Sequence, residues 1–187
     1  LPIFLTWLRI LLIPLFVGVF YAPQSLLSAT DKNILGAAIF AAAAATDWLD
    51  GYLARALGQT SAFGAFLDPV ADKLMVAAAL IVLVHLNRTE SWIAVVIIGR
   101  EITISALREW MAQLGASRSV AVSFIGKLKT AAQMVAIVLL LYFDRVLQVI
   151  DAAFIGEKLM WIAAVLTLWS MIYYLRMAWP QLKDHAN

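Results

Sequence analysis

Two long stretches without a single charged residue constrain the fold of this chain more than any other feature. They span residues 10–30 and residues 159–175. A helix needs about 20 apolar residues to cross the roughly 30 Å hydrocarbon core of a bilayer. Hydrophobic residues make up 64% of the chain and charged residues 14%, whereas soluble domains have about 45–50% and about 25%. This composition excludes an ordinary soluble enzyme, a disordered chain and a disulfide-stapled module, so lipid is expected to cover most of the surface.

Polar and turn-forming residues divide the chain into six apolar segments. These segments cover residues 3–21, 33–57, 67–86, 91–112, 124–143 and 155–179. Because the connections are short, consecutive helices are expected to be antiparallel neighbours. The sequence therefore predicts an all-α integral membrane protein, a six-transmembrane-helix bundle, with residues 1–187 forming one membrane-embedded domain.

The distribution of lysine and arginine predicts the orientation of this bundle. With a cytoplasmic N-terminus, nine of these residues lie toward the cytoplasm and four lie outside. Short cytoplasmic loops are normally rich in basic residues, so both termini are predicted to be cytoplasmic. The net charge is only +2 and there is no long basic run. The weak basicity therefore suits an anionic membrane leaflet, and no nucleic-acid partner is expected.

Four aspartates lie within or beside apolar segments, where charge is unfavourable. Asp47 and Asp50 precede the second break, and Asp68 and Asp72 follow it. A charge deep in the bilayer costs at least about 2.5 kcal/mol, which excludes a position facing lipid. On helices the first pair lies about 60° apart and the second about 40° apart. Because both segments meet at one membrane face, the two pairs are expected to face each other across a groove.

Four carboxylates in one groove repel one another unless they are protonated or neutralised. Oxygen ligands favour Mg²⁺, Mn²⁺ or Ca²⁺. Zinc is disfavoured because Cys is absent and His85 and His185 lie at segment ends. Two cations held by shared carboxylates would resemble the two-metal clamps of phosphoryl-transfer enzymes. Gly51 and Ala54 lie on the same stripe as the first pair, so a ligand can approach that helix closely, although small residues also serve simple helix packing.

The full pattern D-x2-D-G-x2-A-R-x8-G-x3-D-x3-D runs from Asp47 to Asp72. It resembles the signature of the CDP-alcohol phosphotransferases. Eight fixed residues over 26 positions are hard to match by chance. Residues 5–9, residues 100–111 and residues 119–133 extend the likeness toward the bacterial members that make phosphatidylglycerol phosphate. The resemblance covers nearly the whole chain.

This resemblance implies a six-helix bundle in the inner (cytoplasmic) membrane of a bacterium, a homodimer with its active site open to the cytoplasm. It implies two divalent cations, Mg²⁺ or Mn²⁺. The reaction would transfer the phosphatidyl group of CDP-diacylglycerol to sn-glycerol 3-phosphate, giving phosphatidylglycerol phosphate and CMP. Direct displacement is expected, because no Ser, Cys or His beside the aspartates suggests a covalent intermediate.

The family's functional residues can be carried over position by position. The metal ligands would be Asp47, Asp50, Asp68 and Asp72. Asp72 would also be the general base that takes the proton of the acceptor hydroxyl. The CDP-diacylglycerol site would comprise Asp50, Gly51, Ala54, Arg55 and Gly64, with the arginine at the diphosphate. Pro69 is interpreted as a first-turn proline with only a structural role.

Glycerol 3-phosphate is a small dianion, so its site needs cations. The expected ligands are Arg118, Lys127 and Lys129, with Arg108 and Arg100 as second choices. Each of them is also explained by membrane topology alone. Arg100 and Glu101 are interpreted instead as part of a buried ion pair with another segment. Thr6 and Arg9 are expected either to touch the headgroup region or to snorkel toward it.

Three other functions fit part of this pattern. The acceptor within the same family is alternatively inositol phosphate, serine or phosphatidylglycerol, since the signature does not discriminate among them. A divalent-cation transporter also needs acidic residues in a membrane, but such proteins usually show a symmetric ring or inverted repeats. No internal repeat is present here. A scaffold with a structural ion is the third alternative.

Overall fold

The computed structural model describes residues 2–57, 62–113, 124–146 and 150–185, with side chains for residues 6–46, 67–113, 126, 128–145, 150–177 and 179. Within these ranges the chain forms six helices and one short hairpin. The helices are α1 (Pro2–Tyr21), α2 (Ala29–Leu57), α3 (Ala62–His85), α4 (Ser91–Gln113), α5 (Phe124–Tyr142) and α6 (Ala152–His185). The hairpin pairs β1 (Arg145–Val146) with β2 (Ile150–Asp151) in antiparallel register. All six predicted segments are confirmed as helices.

Helix α2 begins at Ala29, earlier than the predicted residue 33. Ser28 caps it, because the backbone N–H of Asp31 donates to Ser28 Oγ at 3.1 Å. In return the Ser28 N–H donates to Asp31 Oδ2 at 3.2 Å. This reciprocal pairing satisfies two backbone donors that a helix start otherwise leaves open. The added turn begins the helix before its apolar run.

Helix α3 also begins earlier than predicted, at Ala62 instead of residue 67. Pro69 therefore lies inside the helix, and its interpretation as a first-turn proline is wrong. A proline within a helix lacks the N–H that would bond the carbonyl four residues earlier. Gly64, expected in the break, belongs to the helix.

The bundle is built around contacts between helices that are not all consecutive. Helix α1 packs on α2 and α3, α2 on α5, α5 on α6, and α4 on α6 and α3. The shared core contains Phe16, Phe40, Leu80 and Ile137. Gly36 permits the close approach of α1 and α2, because a Cβ there would lie 2.3 Å from Phe20 Cζ. The four helices α1, α2, α3 and α5 thus surround a common interior.

Alternating helix directions give the bundle two distinct ends. At one end Thr6 of α1 meets Asp68 of α3. At the other end the rings of Tyr21 and His85 stack at 5.6 Å. We call the first the carboxylate end, defined by Asp68 and Asp72, and the second the Arg88 end, defined by the arginine in the α3–α4 connection.

Arg88 ties three elements together at its end of the bundle. Its Nη1 donates to the carbonyls of Leu140 at 3.0 Å and Leu141 at 2.9 Å. Its Nη2 donates to Asn33 Oδ1 at 2.6 Å. The guanidinium also lies 4.2 Å from the centre of the Phe143 ring. Desolvation lowers the pKa of Arg88, an effect that the charge of Asp144 opposes, and an arginine so placed remains protonated.

The outer surface of the bundle is largely apolar. Large side chains more than 60% exposed include Leu11, Tyr21, Val95, Val165 and Trp169. Among the described residues, Ala152–Met177 is the one stretch both long and apolar enough to cross a membrane, and Thr6–Tyr21 and Leu128–Tyr142 are shorter apolar helices. The all-α bundle is confirmed, and six crossings remain a prediction.

Candidate functional site at the carboxylate end

Asp68 and Asp72 lie one turn apart on α3, so both carboxylates are on one side of the helix. Each is only partly buried. The Thr6 hydroxyl of α1 donates a hydrogen bond to Asp68 Oδ1. Thr6 itself is 0% exposed. The first carboxylate is therefore held by a side chain from another helix.

Arg9 lies one turn beyond Thr6 on α1 and is 1% exposed. It lines a narrow cavity of about 10 Å³ together with Asp72 and apolar side chains from α2, α3 and α5. The expectation that Thr6 and Arg9 touch the headgroups or snorkel is wrong, because both are buried in the bundle. A buried guanidinium is tolerated where a carboxylate offsets its desolvation, and Asp72 shares its cavity.

A second buried cation, Lys129 of α5, lies near the same aspartate. Its amine donates to Glu101 Oε1 of α4, and Lys129 is 1% exposed. Arg100 Nη1 donates to the same oxygen at 3.1 Å, and its Nη2 donates to Ser170 Oγ of α6 at 3.3 Å. The charges of Lys129 and Asp72 are close enough to attract each other. The interpretation of Arg100 and Glu101 as a buried ion pair with another segment is confirmed.

Arg108 lies farther along α4 and is held against α6. Its Nη2 donates to Tyr174 Oη at 3.4 Å, and its guanidinium lies 5.4 Å from the centre of that ring. Tyr174 is buried with Ile104 and Met111 in a small cluster between the two helices. One of the cations expected at the acceptor site is thus fixed on an aromatic side chain.

Several predicted site residues fall outside what the structure describes. Arg118 lies outside the described residues altogether. For a further set the backbone is helical but the side chains are not described: Asp47, Asp50, Gly51, Ala54 and Arg55 in α2, Gly64 in α3, and Lys127 in α5. Helices α2 and α3 pack together. Of the predicted residues, Asp68, Asp72 and Lys129 are therefore the ones that the described side chains bring close together.

The donor set of this end suits a hard divalent cation. Among the described side chains no group of three or more His, Asp or Glu residues forms a metal site. Asp68 and Asp72 nevertheless offer carboxylate oxygens, the ligands that Mg²⁺ and Mn²⁺ prefer. Two carboxylates alone are too few to enclose such an ion, so a complete site needs further ligands, and Asp47 and Asp50 on the packed α2 are the candidates.

Thr6, Arg9 and Glu101 are parts of this end that sequence reasoning did not assign to the site. A usable signal exists, because Thr6 and Arg9 are three positions apart in an otherwise apolar helix. The same holds on α5 for Lys129 and Gln133, four positions apart, both buried. Polar residues at helical spacing in an apolar helix face a common interior.

Comparisons with known proteins agree with the sequence resemblance. The family model described as CDP-alcohol phosphatidyltransferase matches residues 1–169. A protein of Escherichia coli (strain K12) is 52% identical over 186 residues, covering 98% of this chain and 97% of the relative. A protein of Haemophilus influenzae is 51% identical over 190 residues, covering 100% and 97%. Both relatives are named CDP-diacylglycerol–glycerol-3-phosphate 3-phosphatidyltransferase.

Proposed function

The chain belongs to the CDP-alcohol phosphatidyltransferase family, and from this premise we propose that it is a phosphatidylglycerophosphate synthase. It transfers the phosphatidyl group of CDP-diacylglycerol to sn-glycerol 3-phosphate, giving phosphatidylglycerol phosphate and CMP. The observation that carries the proposal is the 52% identity, over 186 residues, to a relative named for this reaction. The resemblance inferred from the aspartate pattern leads to the same family.

Asp72 acts as the general base in this proposal. Its carboxylate takes the proton of the primary hydroxyl of glycerol 3-phosphate. The freed oxygen bonds to the phosphorus that carries diacylglycerol, and the bond from that phosphorus to the oxygen of CMP breaks. CMP leaves with the electron pair, and the proton passes from Asp72 to solvent. Arg9 lines the same cavity as Asp72, so a buried cation lies beside the proposed base.

Members of this family generally depend on divalent cations. We propose that Asp47, Asp50, Asp68 and Asp72 hold two of them, Mg²⁺ or Mn²⁺. Their chemistry would be to polarise the diphosphate and neutralise charge that develops on CMP. Gly51, Ala54 and Gly64 present no bulky side chains to the nucleotide, and Arg55 binds the diphosphate.

The acceptor phosphate is bound by basic side chains between residues 108 and 129. We keep Arg118, Lys127, Lys129 and Arg108 as its proposed ligands. The side chains of Lys129 and Arg108 are both described. Lys129 is the less accessible, because it is buried and bonded to Glu101, whereas Arg108 is partly exposed. Lys129 therefore acts from within the bundle, and Arg108 is the more accessible of these two.

The bilayer positions the lipid substrate. Exposed apolar side chains on every described helix surface support a single membrane-embedded catalytic domain with six crossings, residues 1–187, in the cytoplasmic membrane of a bacterium. The basic residues favour cytoplasmic termini and a cytoplasmic active site. We propose a homodimer as the working assembly.

The proposal is tested with purified protein in detergent, CDP-diacylglycerol, Mg²⁺ and a labelled acceptor. CMP release and labelled lipid are followed together for glycerol 3-phosphate, inositol phosphate, serine and phosphatidylglycerol. Labelled lipid from glycerol 3-phosphate, equal in amount to CMP, is the expected result. CMP formation with another acceptor would keep the family and change the acceptor. If no acceptor gives CMP, a cation-flux assay in liposomes tests the transporter alternative.

A further inference from the structure

The hydroxyl of Thr6 makes a contact unlike those of five other hydroxyls within the described helices. Those of Thr46, Ser105, Thr130, Thr167 and Ser170 donate to carbonyls three or four residues earlier in their own helix. This local bond is the usual choice for a hydroxyl inside a helix. Thr6 donates to Asp68 Oδ1, on another helix and 62 positions away. This bond joins α1 to α3 at the carboxylate end.

The burial of Thr6 strengthens the hydrogen bond from its hydroxyl to Asp68. The residue is 0% exposed, so no bulk water competes for its hydroxyl. An ionised carboxylate only accepts hydrogen bonds, and a hydroxyl has one proton to donate. The bond therefore occupies one position on Oδ1 and restricts rotation of the Asp68 side chain. The second carboxylate oxygen is left to bind another partner.

We propose that Thr6 is a positioning residue for metal binding, whose hydroxyl orients the Asp68 carboxylate as a ligand of the divalent cation. This inference rests on the proposed function, because it takes Asp68 as a metal ligand. Hydrogen-bond partners behind metal ligands typically contribute about 10–100-fold in metal affinity or activity. Helix α1 thereby contributes to a site whose proposed ligands all lie on α2 and α3.

The chain offers a matched control for this inference. Thr167 of α6 is also 0% exposed, and its hydroxyl donates to the Ala163 carbonyl at 2.6 Å. Thr6→Val and Thr167→Val each replace a buried hydroxyl by a methyl group of similar shape. Both variants lose a buried hydrogen bond, but only the first loses one to Asp68. A purely structural effect appears in both variants.

The test measures Mn²⁺ binding to the purified full-length chain in detergent, without substrate, from the electron paramagnetic resonance signal of free Mn²⁺. Thr6→Val is expected to raise the Kd for Mn²⁺ about 10–100-fold. Thr167→Val is expected to leave it unchanged, and Thr6→Ser to restore the affinity because it keeps the hydroxyl. Thr6→Ala, which adds no bulk, gives a second measurement if the valine disturbs the fold.

Steady-state kinetics separate orientation from general damage. In Thr6→Val the Mg²⁺ concentration for half-maximal rate should rise, while the acceptor KM at saturating Mg²⁺ stays as in the wild type. An unchanged Mn²⁺ Kd in Thr6→Val and Thr6→Ala, an equal loss in Thr167→Val, or a wild type that binds no Mn²⁺ would each overturn the inference. A failure of the proposed function would give a different result, in which the wild type binds Mn²⁺ but forms no CMP.

Discussion

The two ends of the bundle deal with buried charge in opposite ways. At the Arg88 end one cation is shared by two helix carbonyls and the Asn33 amide, all fixed neutral acceptors. At the carboxylate end two like charges, Asp68 and Asp72, lie one turn apart. Neutral acceptors are enough to hold one cation, whereas two adjacent carboxylates repel each other and favour nearby positive charge, here Arg9 and Lys129. In our proposal the Arg88 end is structural and the carboxylate end holds the active site.

Cavity size alone points to the Arg88 end instead of the proposed site. Among the described residues a cavity of about 590 Å³ lies at the Arg88 end, lined by side chains such as Glu90, Phe143 and Trp161. The cavity beside Asp72 measures only about 10 Å³. The proposed site at the carboxylate end therefore rests on its charges and not on cavity volume.

Removal of divalent cations should have the largest effect on activity, and this effect should arise at the carboxylate end alone. EDTA in excess is expected to reduce CMP release to background, because the carboxylates cannot stabilise the diphosphate without a divalent cation. Added Mg²⁺ should restore it. Parallel assays with EDTA, Mg²⁺ and Mn²⁺ provide the measurement. Full activity in EDTA would remove the proposed role of the carboxylate end.

Substitution of Lys127 should change the KM for one substrate, whereas substitution of a lysine at the Arg88 end should not. Lys127→Ala is expected to raise the KM for glycerol 3-phosphate about 10-fold, the scale of one lost contact between charged groups, and to change the CDP-diacylglycerol KM much less. Lys158→Ala is the matched control, because Lys158 lies at the start of α6 beside Phe154, at the Arg88 end. An unchanged acceptor KM in Lys127→Ala would leave this lysine a topology determinant only.

Substitution of Arg88 should show the smallest effect on catalysis and a clear effect on stability. Arg88→Met leaves two carbonyls and the Asn33 amide without their donor, a loss of about 2–4 kcal/mol. A fall of several degrees in Tm is expected, with kcat and both KM values retained below the transition. Thermal unfolding in detergent measures it. The exposed Arg145 of the same end supplies the control, Arg145→Met, which should not change Tm. Equal falls in Tm in both variants would contradict the stabilising role of the Arg88 hydrogen bonds.

The number and approximate extent of the helices were predictable because charge-free runs and short polar breaks are strong signals. The starts of α2 and α3 were less accessible. The Ser28–Asp31 cap follows a known pattern and was readable in principle. The start of α3 was not, because Pro69 normally favours the first turn but lies inside the helix here. The hairpin of β1 and β2 has only two residues in each strand, too short for any periodicity.

The side of each helix that is turned toward the bundle interior was the hardest feature to predict. Helices that are apolar on every side give no stripe that marks the interior. The sequence therefore predicts that Thr6 and Arg9 touch the headgroup region or snorkel toward it, although both are buried. The aspartates were different, since charge at helical spacing must face the protein interior. Glu101 was correctly given a buried partner, but its identity, Lys129, depends on how α4 and α5 come together.

The most direct test of the account is the variant Asp72→Asn. CMP release, CDP binding and Tm are measured on the same preparation of this variant and compared with those of the wild type. Asparagine keeps the shape but is neither a base nor an anionic ligand. We expect kcat to fall by at least about 10³-fold, while Tm stays within a few degrees and CDP binding is partly retained. Turnover close to that of the wild type would contradict the assignment of Asp72 as the base.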